Sequence, residues 1–173
     1  KLFWNIRQTL YSFINEKVQT IWLIRLGSWL SFLPHSIIYN STVSVKQHVS
    51  LGFSTKKTKM IPNGFDLQKF RPNEQNRQQF REELGVTENV LLIGHISRLH
   101  PMKDHATLLR AIDRIVDSLS GISGKQEVLF LLIGHGVTSE LSKNPSIRFL
   151  GERSDIPRIM SALDIVVSSS AWG

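Results

Sequence analysis

The chain has 173 residues, 41% of them hydrophobic and 20% charged, and a formal charge of +7. Those fractions are ordinary for a folded globular protein and leave room for a core in one or two domains. The absence of cysteine excludes disulfides and thiolate metal centres.

The positive surplus is uneven. Residues 1–90 hold twelve Lys and Arg against six Asp and Glu; residues 91–173 hold nine against eight. A basic half of this kind attracts nucleic acid, an anionic membrane or acidic substrates.

In chain order, the first 33 residues are rich in aromatic and aliphatic side chains. Leu2, Ile6, Leu10, Phe13, Val18 and Ile21 recur at helical spacing, interrupted by Arg7, Lys17 and Arg25. The pattern predicts a pair of helices covering a core. Its rival is an amphipathic helix on a membrane surface, with Trp4, Trp22 and Trp29 at the lipid interface. No charge-free apolar run reaches the length of about 18–20 residues that a membrane span needs. The apolar part is too long and too broken for a cleavable signal.

From Ser36, "SIIYN" reads as a short buried strand. Ser44 and Gln47 have capping-box spacing and open a short helix that Gly52 stops. "KTKMI" reads as the next strand, completing a strand–helix–strand unit. "PNGFDLQKFRP", Pro62 to Pro72, is a loop, and "NEQNRQQFREELG" is a polar helix ended by Gly85.

A second alternating series starts at Asn89. Its strands are "NVLLIGHI", "VLFLLIG", "IRFLG" and "DIVVSS"; its helices are Lys103–Leu119, a short one near Ser139, and Asp155–Ala162. Continuous apolar strands are buried on both faces, as in parallel sheets. In such sheets ligands bind beyond the carboxyl ends of the strands. That edge would carry Arg98 and Lys103; Gly134, His135 and Gly136; "ERSD", with Glu152 and Arg153; and Ser168 to Ser170. Two cations, permissive glycines and hydroxyls suit a phosphate or diphosphate.

Plainer readings exist. The cations could be solvated, "GHG" a simple turn, Arg153 a partner of Asp155 or Glu152, and the serines caps. "GHG" does not extend to G-x-G-x-x-G, so no dinucleotide cofactor is expected, and the P-loop and Gly-x-Ser-x-Gly patterns are absent. Pro101 breaks the spacing of His100, Asp104 and His105, so no metal site is expected.

The ordered series "MIPNGFDLQKFRP", "LLIGHISRLHPMKDHATLLRAI", "FLLIGHG" and "IRFLGERSDIPRIMSALDIVVSSS" resembles the family 4 glycosyltransferases of the GT-B fold, over about residues 36–173. The resemblance implies an α/β protein with two Rossmann-like domains, parallel sheets, and a cleft between an acceptor-binding and a donor-binding domain. Residues 1–62 would be the closing part of the acceptor domain, 63–88 the linker and helix, and 89–173 the first half of the donor domain. Both domains are expected to be incomplete, because the chain opens without methionine and ends directly after an apolar run.

The implied activity is retaining, metal-independent transfer of a hexose-type sugar from a nucleotide-diphosphate sugar to a glycan or lipid-linked acceptor. Arg98 and Lys103 would hold the leaving diphosphate. Gly134, Gly136, Gly151, Glu152, Arg153 and Ser170 would complete donor binding. No cofactor and no nucleic-acid partner are implied. The expected place is the cytoplasm, with peripheral attachment to a membrane.

The sequence departs from the family at Ser97 and Asp104, where glycine is usual, and at "GHG", where Gly-Asp-Gly is frequent. The paired glutamates of the family would lie beyond Gly173, so the chain by itself is expected to be inactive. A nucleotide-sugar epimerase or phosphorylase of the same fold is the alternative enzyme. A basic nucleic-acid module is the alternative of another class; no aromatic–basic motif supports it.

Overall fold

The computed structural model describes residues 1–10, 17–119 and 127–171. The chain divides into two compact units, residues 1–65 and the remainder from Asp66.

The first unit is a three-stranded parallel sheet in the order β1 (Phe3–Ile6), β2 (Ser36–Tyr39), β3 (Thr58–Met60). The expected first helix is therefore a strand. Residues 3–6 alternate exposed and half-buried, which is the period-2 pattern of a pleated strand. Trp4 and Ile6 pack on the core formed by Ile24, Ile37, Tyr39 and Phe53. The helix that does form, α1, spans Val18–Trp29 and buries only Ile24. Phe13 falls outside the described residues.

Helix α2 spans Thr42–Ser50. Its cap is Ser41, whose hydroxyl accepts from the Ser44 amide at 3.1 Å, one turn before the expected capping pair. Ser44 is instead buried and donates to the Gln8 carbonyl at 2.7 Å, while Gln47 accepts from the Leu10 amide at 2.7 Å. Both side chains tie the first strand's exit to α2.

The second unit is a parallel sheet flanked on both faces. Its strands are β4 (Leu91–Ile96), β5 (Val128–Ile133), β6 (Ile147–Gly151) and β7 (Ile165–Val166), in the order β6-β5-β4-β7. Its helices are α3 (Glu74–Leu84), α4 (His105–Leu119) and α5 (Ile156–Ala162).

The alternation of side chains along β4 and β5 feeds two cores. Leu92, Leu131 and Ile133 meet Phe80 and Leu84 of α3 and Ile159 of α5. Ile93, Phe130 and Leu132 meet Leu108 and Ile112 of α4. Each fully buried Leu or Ile contributes about 1.5–3 kcal/mol of transfer free energy.

Helix α3, the helix expected within the linker stretch 63–88, is built into the second unit. Asn73 caps its start, accepting from the Asn76 amide at 2.9 Å, and Gly85 ends it in the left-handed conformation with φ 68°. The short helix expected near Ser139 is a run of turns. Ser142 and Asn144 accept amides two residues on, at 3.1 and 2.9 Å, and Pro145 follows. Such local bonds and a proline compete with a helix.

Candidate functional site

The strand order β6-β5-β4-β7 places the first strand of the unit in the middle. From β4 the chain moves outward to β5 and β6, then crosses back to β7 on the other side. This reversal is a topological switch point, and ligands of open α/β sheets bind at the carboxyl ends of the two strands that flank it. The loops after β4 and β7 carry Arg98, Lys103 and Ser168 to Ser170.

Those loops meet. Lys103 Nζ donates to Ser170 Oγ at 3.3 Å, Ser169 Oγ donates to the Lys103 carbonyl at 2.6 Å, and the Ala171 amide donates to the Met102 carbonyl at 2.9 Å. Lys103 is half-buried and Arg98 is exposed. The expectation that Lys103 starts the helix is corrected: Pro101–Lys103 is a 3-10 turn, and α4 begins at His105. Between them Asp104 is left-handed, with φ 44°. Asp tolerates that region better than most side chains, and its carboxylate earns its place by accepting from the Thr107 amide at 3.1 Å. Hydrogen bonding from the Thr107 hydroxyl, and then from its amide, holds the Asp104 carboxyl below its ordinary range.

The neighbouring strand ends knit into the same edge. Gly134 donates to the Gly151 carbonyl at 2.7 Å, and Leu99 to the His135 carbonyl at 2.8 Å. Gly134, Gly136 and Gly151 all have positive φ, of 149°, 75° and 63°. At Gly134 a side chain would force the backbone to shift, since a Cβ would collide with the carbonyl of Ser97.

The structure brings some expected residues together and ties others elsewhere. Lys103 touches Ser170, and Gly134 touches Gly151. Glu152 is exposed and accepts from or pairs with His135 Nδ1 at 3.0 Å. Arg153 is engaged by Asp155, with Nε and Nη2 at 2.8 and 2.7 Å, and lies 3.7 Å from Glu83. Its guanidinium therefore holds the start of α5, the pairing weighed against a binding role. The Asp155 carboxyl is held below its ordinary range by that hydrogen-bonded arginine. Among the described residues no three His, Cys, Asp or Glu side chains gather where a metal ion could be held.

Sequence reasoning missed a buried cluster directly beneath these loops. His95 and His105 are almost fully buried, their rings edge-to-face with centroids 5.0 Å apart. Ser97 Oγ lies 2.8 Å from His95 Nε2 and 3.3 Å from His105 Nε2. His95 Nδ1 lies 3.1 Å from the Val167 carbonyl. Burial pushes both imidazoles below their ordinary pKa; the Val167 bond opposes this at His95, and the nearby Lys103 charge adds to it. The signal was present: positions 95 and 97, in the strand and one residue past its end, have the two-residue spacing of one strand face.

Residues 89–173 match the family model of glycosyl transferases group 1. The chain is 32% identical over 123 residues to the UDP-Gal:alpha-D-GlcNAc-diphosphoundecaprenol alpha-1,3-galactosyltransferase of Escherichia coli, covering 67% of this chain and 31% of that one. It is 25% identical over 140 residues to the GDP-mannose-dependent monoacylated alpha-(1-6)-phosphatidylinositol monomannoside mannosyltransferase of Corynebacterium glutamicum, covering 75% and 35%. Anabaena Alr3699/HepE, solved in complex with UDP and glucose, superposes with a TM-score of 0.76 at 26% identity, over 98% of this chain and 46% of that one. The chain thus spans about a third of the length of these two relatives and under half of the solved chain. With an α/β architecture of parallel sheets shared along nearly its whole length, the chain belongs to the group 1 glycosyltransferases of the GT-B fold.

Proposed function

We propose that the protein carrying this chain is a retaining, metal-independent glycosyltransferase that moves a hexose-type sugar from a nucleotide diphosphate to a glycan or lipid-linked acceptor. The observation that carries this reading is the Lys103–Ser170 contact, 3.3 Å long, at the switch point of the second sheet, with Arg98 on the same loop. Two relatives and a solved neighbour support the substrate class. One acts with UDP-Gal on a diphosphoundecaprenol-linked sugar, another with GDP-mannose on a phosphatidylinositol glycolipid, and the solved neighbour holds UDP and glucose.

The chemistry follows from charge. As the bond between sugar C1 and the β-phosphate oxygen breaks, negative charge grows on the diphosphate. The acceptor hydroxyl oxygen bonds to C1, its proton passes to the departing β-phosphate oxygen, and the nucleoside diphosphate leaves. Arg98 and Lys103 would stabilise the leaving group, the part a divalent cation plays in other designs. Ser170 would orient Lys103 and donate to a phosphate oxygen. The tight backbone at Gly134 and Gly151 would let amides approach the donor. Glu152 and Arg153 belong to the same proposed edge, with Arg153 acting through the loop it braces. The enzyme would work at the cytoplasmic face of a membrane, attached peripherally; no helix among the described residues is long and apolar enough to cross one.

The test is turnover of UDP-, GDP- and ADP-sugars by the full-length enzyme, in chelator, with the anomeric configuration of the product read by NMR. The expected products are free nucleoside diphosphate and a glycosylated acceptor of retained configuration. Arg98→Ala and Lys103→Ala should each lower turnover by more than about tenfold, since a lost charge-assisted contact costs about 1.5–3 kcal/mol. Wild-type turnover in both variants would reject the assignment. An isomerised donor or a sugar phosphate would point to an epimerase or a phosphorylase.

A further inference from the structure

We propose that Ser97 is a positioning residue for the donor site: its hydroxyl, lodged between His95 and His105, fixes the spacing of Arg98, Lys103 and Ser170. The inference rests on the diphosphate reading of those three residues. Its geometry is independent of that reading. His95 lies near the end of β4 and Ser97 directly follows that strand, His105 opens α4, and Val167 follows β7. The three segments so linked are those that carry Arg98, Lys103 and Ser170.

The direction of each hydrogen bond can be worked out. The Val167 carbonyl only accepts, so His95 Nδ1, 3.1 Å away, carries its proton. A neutral His95 then has a bare Nε2, which accepts the Ser97 hydroxyl proton across 2.8 Å. Ser97 Oγ, having donated, accepts from His105 Nε2–H across 3.3 Å. His105 is therefore the Nε2–H tautomer, with a bare Nδ1. That matches the buried His105 Nδ1, which has no hydrogen-bond partner among the described residues. The chain of bonds runs one way, from His105 through Ser97 and His95 to Val167, and it requires both rings to be neutral.

The surroundings favour neutrality. Burial dominates at both rings; Lys103 faces His95 and disfavours a second positive charge, and Asp104 beside His105 is the one opposing charge. A protonated His95 would turn Nε2 into a donor. Ser97 would then have to rotate its hydroxyl away, and the link between the two loops would lose one of its bonds. The donor site should hence weaken on the acid side of the ordinary histidine range, about pH 6.5.

The experiment has two arms. In the first, histidine-selective 15N NMR on the wild-type enzyme at neutral pH should find His95 protonated at Nδ1 and His105 at Nε2. The opposite tautomer at either ring overturns the inference, whatever the activity. In the second, the pH profile of turnover is compared for wild type, Ser97→Ala and Ser97→Thr. Ser97→Ala should lose about tenfold in kcat, as a small misplacement of charged groups does, with KM for the donor changed less and the acid limb displaced. Ser97→Thr keeps the hydroxyl and should retain kcat and the wild-type limb. A Ser97→Ala enzyme with unchanged kcat and acid limb overturns the inference. A wild-type enzyme with the expected tautomers and no turnover of any nucleotide sugar would instead sink the donor-site reading and leave the network standing. If Ser97→Ala does not fold, the tautomer arm decides.

Discussion

At the scale of single residues, backbone conformation decides which positions tolerate a side chain. Gly134 combines a φ of 149° with a Cβ position occupied by the Ser97 carbonyl, a backbone atom that cannot swing aside. Gly151 has a φ of 63° and open space at its Cβ. Gly134→Ala should therefore destabilise the second unit by more than about 3 kcal/mol, strain and overpacking together. Gly151→Ala should cost only the left-handed penalty of about 1–2 kcal/mol. Urea unfolding of the two variants checks the order; equal losses would show that the Ser97 contact does not matter. Lys103 and Arg98 were legible as candidates because two cations follow a buried strand. That Arg153 braces α5 was not decidable from the sequence, since carboxylates stand on both sides of it, Glu152 one residue before and Asp155 two after. The structure gives it Asp155.

At the scale of elements, α3 shows how a polar-looking helix becomes part of a core. Its composition reads as solvated, yet Phe80 and Arg81 are almost fully buried. The Arg81 guanidinium donates to the carbonyls of Ala162, Thr87 and Val90, and faces Asp164 at 3.4 Å and Glu88 at 3.3 Å. Asp164 in turn accepts from the Leu92 amide at 2.7 Å. Burial pushes the Asp164 carboxyl up, but the Leu92 amide, Arg77 and Arg81 outweigh it and hold it below its ordinary range. One arginine thus locks α3 to the end of α5 and the start of β4. Arg81→Met should cost about 3–5 kcal/mol, because it leaves buried carbonyls and a carboxylate short of donors. Arg81→Lys should recover little, since an ammonium cannot replace the planar fork. Chemical denaturation measures both, and a loss under about 1 kcal/mol would contradict this account. Capping and stop signals at Asn73 and Gly85 set the bounds of α3 in the sequence. Its partner was not legible, because residues 81 and 164 stand 83 positions apart and meet only where α3 packs beside the end of α5.

At the scale of the whole molecule, charge and apolar exposure coincide. Residues 1–65 hold eight Lys and Arg against one Glu, a net of +7, and the rest holds thirteen against thirteen. The entire surplus thus lies on the unit whose helix α1 exposes Val18, Trp22, Leu23, Leu26 and Trp29. That pairing suits an anionic bilayer surface, where each nearby cation contributes about 1 kcal/mol. The full-length protein should float with anionic vesicles at low salt and release at high salt, and Trp22→Ala with Trp29→Ala should weaken the binding. Failure to bind at low salt would reject peripheral attachment. The sequence by itself determined the α/β class, the parallel strands, most element bounds and the loops that carry Arg98 and Lys103. These follow from local periodicity, caps and apolar runs, which a chain states one segment at a time. It misread residues 3–6, where four residues are too few to tell period 2 from period 3.6, and the turns near Ser139. Only the tertiary structure decided the strand order that creates the switch point, the lock at Arg81, and the meeting of His95, Ser97 and His105. Each depends on residues far apart in the chain or on different elements, and their juxtaposition is fixed by how the sheet closes rather than by any local preference.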